Sequence, residues 1–113
     1  MMTDFLLLFR SDYKTKEVQT SPEVMHVYLT HWQEWYNNLA GQGLLAWPVQ
    51  RLDPQGKVIR QGNADFDGSY TELNESIVGL TIIKASDYEA AIHLARNCPI
   101  FELGGTVEIR HGN

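Results

Sequence analysis

Hydrophobic residues follow one another without interruption near the start of the chain, from Phe5 to Phe9. A strand with one face in water alternates apolar and polar residues, whereas a strand covered on both faces is apolar throughout. The run therefore predicts a strand over Asp4 to Arg10 whose two faces are both covered. A similar run from Leu80 to Ile83 lies within a second strand, which we predict over Ile77 to Ala85.

A long helix is predicted between these strands. Ser21 can cap the free amides of its first turn, and Pro22 suits the first helical position because its missing N–H would have no partner there. We expect the helix to run to Ala40 and to end at Gly41 and Gly43, which can adopt left-handed backbone angles. An apolar stripe at helical spacing is expected to pack on a sheet. The stripe comprises Met25, Leu29, Trp32, Tyr36 and Leu39, with Tyr28 and Trp35 beside it.

Three shorter segments are also predicted to be strands. Leu44 to Leu52 contains Pro48, which cannot donate a ladder hydrogen bond and so indicates an edge strand or a bulge. The turn chemistry of Asp53 to Gly56 would return the chain as a short strand over Lys57 to Arg60. Thr106 to Arg110 is the last strand, with alternate residues on opposite faces.

A second helix is predicted after Ser86, which forms a capping box with Glu89 three residues later. Pro99 is expected to close this segment, and the Gly104–Gly105 pair is typical of a turn before the last strand. The residues expected on the buried side of the helix are Tyr88, Ala91, Ile92 and Ala95.

The order of these elements is typical of an α+β fold, a ferredoxin-like domain with a split βαβ plan. Two helices cover only one face of such a sheet. Because the runs at Leu6 to Leu8 and Leu80 to Ile83 are apolar on both faces, the other face requires a further cover. A second copy of the chain is the simplest source, so the pattern predicts a homodimer.

Composition narrows the class of protein. The 113 residues are expected to form a single domain, residues 1–113. Nine basic and fourteen acidic side chains give a net charge of −5 without a basic cluster, so we expect no nucleic-acid partner. The apolar runs are far shorter than the roughly 20 residues of a membrane-spanning helix, so no membrane partner is expected. With a single cysteine and no recognisable leader, a cytoplasmic protein is expected.

An acidic loop precedes the strand over Ile77 to Ala85. It opens with Asp67 and Gly68, continues with Glu72 and Glu75, and is followed by Gly79 inside the strand. This pattern resembles the Asp-Gly-Pro-Phe (DGPF) signature of the YCII-related proteins. Ser69 and Tyr70 replace the Pro-Phe pair, and Asn74 replaces the usual lysine. The resemblance extends to the opening strand, the Ser-Pro-Glu helix start and the ending from Cys98 to Arg110. It implies a dimeric α+β barrel, in which two sheets pack face to face. The positions that match the signature are Asp67, Gly68, Glu72, Glu75 and Gly79.

His31 and Asp67 are the candidate catalytic residues. His31 lies at the border of the helical stripe, near Trp35, where partial desolvation would suit an imidazole to proton transfer. The family resemblance implies that a histidine in this helix acts with an aspartate. Asp67 is a candidate acid, base or anchor, and Glu75 would lie near it if the loop folds back. The alternatives are a packing histidine and an Asx turn in which Gly68 follows Asp67.

The candidates for ligand binding are Arg10, Trp35, Tyr70 and Glu75, and Arg110 is considered together with Arg10. Arg10 and Arg110 end strands and would hold an acidic ligand bidentately if they faced one cleft, although a salt bridge from Arg110 to Glu108 is an alternative. Trp35 would line a pocket for a planar or apolar ligand, and Tyr70 would donate a phenolic hydrogen bond. Glu75 completes the set.

Two functions from different classes fit these residues. The first is small-molecule binding, with cofactor-independent acid–base chemistry by His31 and Asp67 in a pocket beside the first helix and the signature loop. The second is a non-catalytic regulatory module that acts with a protein partner such as a sigma factor, as the family resemblance implies.

No metal site is expected, because no histidine stands at ligand spacing from Cys98 or from another histidine on the same helix face. We also expect no cofactor, since the chain has no phosphate-binding glycine loop.

Overall fold

A computed structural model describes most of the chain. The described residues are 1–12, 21–53, 55–61, 63–66 and 76–112. Within these ranges the protein is α+β, with a four-stranded antiparallel sheet, a two-stranded sheet, two α-helices and a 3-10 helix. The elements in chain order are β1 (Thr3–Ser11), α1 (Pro22–Gly41), β2 (Leu45–Arg51), β3 (Val58–Arg60), β4 (Asn63–Phe66), β5 (Ser76–Ala85), α2 (Tyr88–Ala95), the 3-10 helix (Pro99–Leu103) and β6 (Thr106–His111).

The main sheet has the strand order β2-β5-β1-β6, with every neighbouring pair antiparallel. The two strands with long apolar runs, β1 and β5, therefore lie at its centre. Leu7 is opposite Thr81, and Phe9 is opposite Gly79. This ferredoxin-like α+β arrangement confirms the predicted fold class.

Pro48 lies in an edge strand, and the pairing of β2 with β5 is irregular on both sides of Trp47. Because proline cannot donate to the ladder, the edge position and the irregular register are the two ways to accommodate it. The structure uses both. The prediction made from Pro48 is confirmed.

One face of the main sheet, the inner face, carries the hydrophobic core. Phe5, Leu7 and Phe9 of β1 are almost fully buried there, at 2, 0 and 1% exposure. Both described helices pack on this face, since the same buried cluster contains side chains from each of them. The cluster's helical members are Trp35 and Leu39 of α1 and Ala91 and Ala95 of α2. The small alanine side chains let α2 approach the sheet closely.

The outer face of the main sheet is also apolar along its two central strands. Leu6 is opposite Ile82 and Leu8 is opposite Leu80, and all four side chains are half-buried. Trp47 of β2 is opposite Ile82 and is 55% exposed. Because alternate residues of a strand point to opposite faces, the inner-face helices cannot cover these side chains.

The first helix begins as predicted. The Ser21 hydroxyl accepts a hydrogen bond from the Val24 N–H at 3.3 Å, and Pro22 occupies the first turn. The helix ends at Gly41, and Gly43 takes the left-handed conformation with φ 72°. Gly41 remains helical, so only the second of the two glycines has the predicted role.

The buried stripe of α1 is rotated relative to the prediction. Tyr28, Trp35 and Leu39 are buried, whereas Leu29 is 41% exposed and Trp32 is half-buried. The physical reason is a long-range contact. The Trp35 indole Nε1 donates a hydrogen bond to the Leu94 carbonyl at 3.2 Å, which turns this side of α1 toward α2.

The predicted capping box at the start of α2 is wrong. Asp87 caps this helix, and its carboxylate accepts a hydrogen bond from the Ala90 N–H at 2.8 Å. A charged acceptor at the N-terminus also interacts favourably with the helix dipole, which gives Asp87 an advantage over Ser86. Of the four residues expected on the buried side, Ala91 and Ala95 are buried, whereas Tyr88 and Ile92 are exposed by 48 and 38%.

Pro99 begins a 3-10 helix and does not simply close α2, which already ends at Ala95. Proline suits the first position of either helix type, so its presence did not distinguish an end from a start. The predicted turn at Gly104 is confirmed, since Gly104 has φ 77°. A Cβ at Gly105 would lie 2.6 Å from the Arg10 carbonyl oxygen, so only glycine fits there.

The short strand predicted over Lys57 to Arg60 is present as β3. Its partner, β4, was not predicted, because asparagine and aspartate are poor strand formers and Asn63–Phe66 contains both. Together they form the two-stranded sheet.

Candidate ligand-binding site

A cavity of about 620 Å³ lies between α1, β2 and the first half of β5. Its volume is within the range of roughly 300–1,000 Å³ that small-molecule sites occupy. Most of its described lining is apolar or aromatic. The described lining residues are Phe9, Tyr28, Leu29, Trp32, Gln33, Tyr36, Asn37, Ala40, Leu45, Pro48, Val49, Gln50, Arg51, Val78, Gly79 and Ile100.

Aromatic rings from one face of α1 form the helical wall of the cavity. Tyr28, Trp32 and Tyr36 are four residues apart and therefore lie above one another on the helix. Trp32 makes edge-to-face contacts with Tyr28 and with Phe9 of β1, with ring centroids 6.2 and 5.0 Å apart. These contacts fix the indole at the border between core and cavity, which explains why it is half-buried.

Gly79 forms part of the sheet side of the cavity. It lies opposite Phe9 in β1 and opposite Arg51 in β2. A Cβ at Gly79 would be 3.0 Å from the Gln50 carbonyl oxygen and 3.4 Å from the Phe9 ring. The absence of a side chain therefore lets the Phe9 ring and strand β2 approach β5 at this point. Among the five positions that match the DGPF signature, Gly79 is the one that lies within the described residues.

Polar side chains border the cavity on two sides. Gln33 and Asn37 come from α1, and Arg51 comes from the end of β2. None of these three side chains has a hydrogen-bond or ion-pair partner in the part of the chain that the structure describes. A few polar groups around a largely apolar cavity are typical of a site that binds and orients a small molecule.

His31 lies on another side of α1, facing the 3-10 helix. Its Nδ1 atom is 2.9 Å from each carboxylate oxygen of Glu102. The two side chains are 42 and 45% exposed, so water screens their interaction. They line a second, more polar groove of about 630 Å³, to which Glu34 and His93 also contribute.

Glu102 is a residue that the sequence reasoning missed. It lies 71 positions after His31, and no local pattern connects the two. The one available signal was its place shortly after Pro99, since acidic residues favour the first turn of a helix.

The remaining predicted site residues of the signature loop, Asp67, Tyr70 and Glu75, lie outside the described residues. The predicted meeting of His31 with Asp67 therefore stays a prediction. Within the described ranges, the carboxylate that His31 contacts belongs to Glu102.

Trp35 and Arg10 do not border the aromatic cavity. Trp35 is 7% exposed and belongs to the core between α1 and α2, where its indole binds the Leu94 carbonyl. One edge of it also reaches the polar groove. Arg10 lies on the outer sheet face, where its guanidinium is 3.2 Å from the Glu108 carboxylate.

Glu108 binds both arginines that were considered for an acidic ligand. Arg110 Nε donates to its second carboxylate oxygen at 2.7 Å, so the salt bridge expected as the alternative for Arg110 is present. The hydrogen bonds from Arg110 and then from Arg10 hold the pKa of the Glu108 carboxyl below its usual value. The hydrogen bond that Arg110 donates to Glu108 also raises the pKa of Arg110.

Cys98 is buried in the core cluster. Burial raises the pKa of its thiol to about 12, so the reactive thiolate form is suppressed near neutral pH.

Among the described residues, no three histidine, cysteine, aspartate or glutamate side chains are grouped as metal ligands. No described helix combines the length and apolar character needed to cross a membrane.

The fold and the cavity together define an α+β domain with an aromatic cavity between its first helix and a four-stranded sheet. Comparison with protein families identifies the group of domains to which it belongs. The model of the YCII-related domain matches residues 14–111, which is nearly the whole chain. The protein therefore belongs to the YCII-related domain family. A search of curated proteins found no match.

Proposed function

We propose that this YCII-related domain binds a small molecule in the cavity between α1, β2 and β5, and that it acts as a homodimer. The observation that carries the proposal is the cavity itself, which joins four aromatic rings to a few polar side chains that have no partner among the described residues. A domain with a purely regulatory role has no need of a cavity of this size and aromatic lining. The cavity thus favours ligand binding over the rival function, a regulatory module acting with a protein such as a sigma factor.

Acid–base chemistry without a cofactor is the second part of the proposal, and the pairing of His31 with Glu102 supports it. A carboxylate bound to Nδ1 selects the imidazole tautomer that carries its proton there, which leaves Nε2 free to accept a proton from a ligand. Asp67 would supply a second carboxylate from the signature loop. This chemistry would use the polar groove beside α1 and not the aromatic cavity.

The second copy in the proposed homodimer would cover the outer sheet face. Leu6, Leu8, Leu80 and Ile82 form an apolar surface that an inner-face helix cannot reach. A two-fold axis through this surface would set one apolar row against the same row of its partner, which buries both. The family resemblance supports the same arrangement.

The ligand site can be tested with 2-naphthamide as a neutral aromatic probe. Asn37→Trp places a large ring in the cavity lining, so we expect it to weaken binding of the probe by at least about tenfold, a loss of roughly 1.4 kcal/mol. Asn38→Trp is the matched control, because the neighbouring Asn38 lines the polar groove instead. Isothermal titration calorimetry measures both. Equal binding of the probe by Asn37→Trp and by the parent would contradict the cavity site.

The role of Glu102 can be tested from the tautomer of His31. Above the titration range of the imidazole, we expect ¹⁵N NMR to show the proton of His31 on Nδ1, because Glu102 accepts it. Glu102→Ala should weaken this preference, while the spectrum of His111, which contacts Thr3 at the other end of the sheet, stays unchanged as a control. If the parent instead carries the proton on Nε2 of His31, that atom cannot accept a proton from a ligand, and the proposed base would be wrong.

The homodimer can be tested by sedimentation equilibrium at micromolar concentration. The parent should have twice the chain mass of 12.9 kDa. Leu80→Glu should shift the protein to monomer, because it places a charge on the proposed interface. Ile59→Glu is the control, since Ile59 is 80% exposed on the two-stranded sheet. A monomeric parent would disprove the dimer and favour the regulatory function, with another protein on the outer face.

A further inference from the structure

The charges around the aromatic cavity are unbalanced. Arg51 is the cation of the described lining, and that part of the lining contains no carboxylate. The chain as a whole has fourteen acidic and nine basic residues, so an arginine without an ion-pair partner in the described part of the chain is unexpected in this composition. A local positive charge beside an apolar surface attracts an anionic ligand.

The Arg51 guanidinium has no hydrogen-bond or ion-pair partner among the described residues. Arg10 and Arg110 differ from it, because both are bound by Glu108 on the outer sheet face. An unoccupied guanidinium presents a planar set of donors that matches a carboxylate in bidentate geometry.

The sheet register brings Arg51 to the cavity side. Arg51 is opposite Gly79, which in turn is opposite Phe9 of the buried inner-face row. Residues directly opposite each other in neighbouring strands share a face, so Arg51 belongs to the same face as Phe9. Because Gly79 has no side chain, the Phe9 ring approaches the backbone there, and both Phe9 and Arg51 line the cavity next to Gly79.

Resting on the proposed function of the cavity, we propose that its ligand is a planar aromatic carboxylate. The aromatic ring would pack against Trp32 and its neighbours on α1, and the carboxylate would bind the Arg51 guanidinium. Edge-to-face and stacked ring contacts select an aromatic body. Arg51 then selects the anionic group, and Gln33 and Asn37 provide further hydrogen-bonding groups at the border.

The experiment compares 2-naphthoate with 2-naphthamide, which has nearly the same shape but no charge. By calorimetry at low ionic strength, the parent should bind the carboxylate about tenfold more tightly than the amide, as expected for a charge-assisted hydrogen-bonded pair. Arg51→Gln should abolish this preference while it leaves binding of the amide unchanged. Arg96→Gln removes the same charge at the end of α2, away from the cavity, and should retain the preference.

The outcomes separate the two proposals. Binding of both probes with equal affinity, or an unchanged preference in Arg51→Gln, would overturn the aromatic carboxylate while the cavity site stands. Loss of the preference in Arg96→Gln to the same extent would also overturn it, because the effect would then reflect net charge. Failure of both probes to bind the parent would overturn the cavity site and this inference with it.

Discussion

The structure depends on a pair of central strands that are apolar on both faces. In β1, Phe5, Leu7 and Phe9 point inward and are buried, while Leu6 and Leu8 lie on the outer face. The described helices pack on the inner face alone, since one buried cluster joins them to β1. The sheet therefore divides the molecule into a core and an apolar surface, and the proposed dimer would bury that surface.

The same sheet determines where a cavity forms. At most positions of the inner face, a side chain from α1 or α2 fills the space above the strands. Near Gly79 the strand provides no side chain, and the Phe9 ring lies close to its backbone. The rings of Tyr28, Trp32 and Tyr36 form a wall opposite this region and leave the space between them open. The loss of one side chain from the sheet thus contributes to the shape of the proposed site.

Local sequence patterns predicted the main strands and both ends of α1, because these depend on neighbours within a few residues. The unbroken run in β1 and the Ser21 cap each have one simple structural solution, and the proline in β2 has two, both of which the structure uses. The start of α2 was predicted wrongly because Ser86 and Asp87 are adjacent and both can cap a helix.

The contacts of the candidate site depend on residues that are far apart in the chain, which explains why the sequence predicted less of it. The hydrogen bond from Trp35 to the Leu94 carbonyl spans 59 positions, and it rotates the buried face of α1. This rotation places Trp32 at a cavity and His31 beside Glu102. Helical periodicity alone gave only the approximate direction of these side chains.

The central claim is that a small molecule binds between α1 and the sheet. The three tryptophans lie in three different parts of the molecule, so they can test where the ligand binds. Trp32 lines the cavity, Trp35 lies in the core beside the polar groove, and Trp47 lies on the outer sheet face. In protein labelled with 5-fluorotryptophan, ¹⁹F NMR resolves each of them. Titration with 2-naphthoate should shift the Trp32 resonance most and leave Trp47 unchanged. A shift confined to Trp47, or no shift of Trp32 at saturating ligand, would contradict the account.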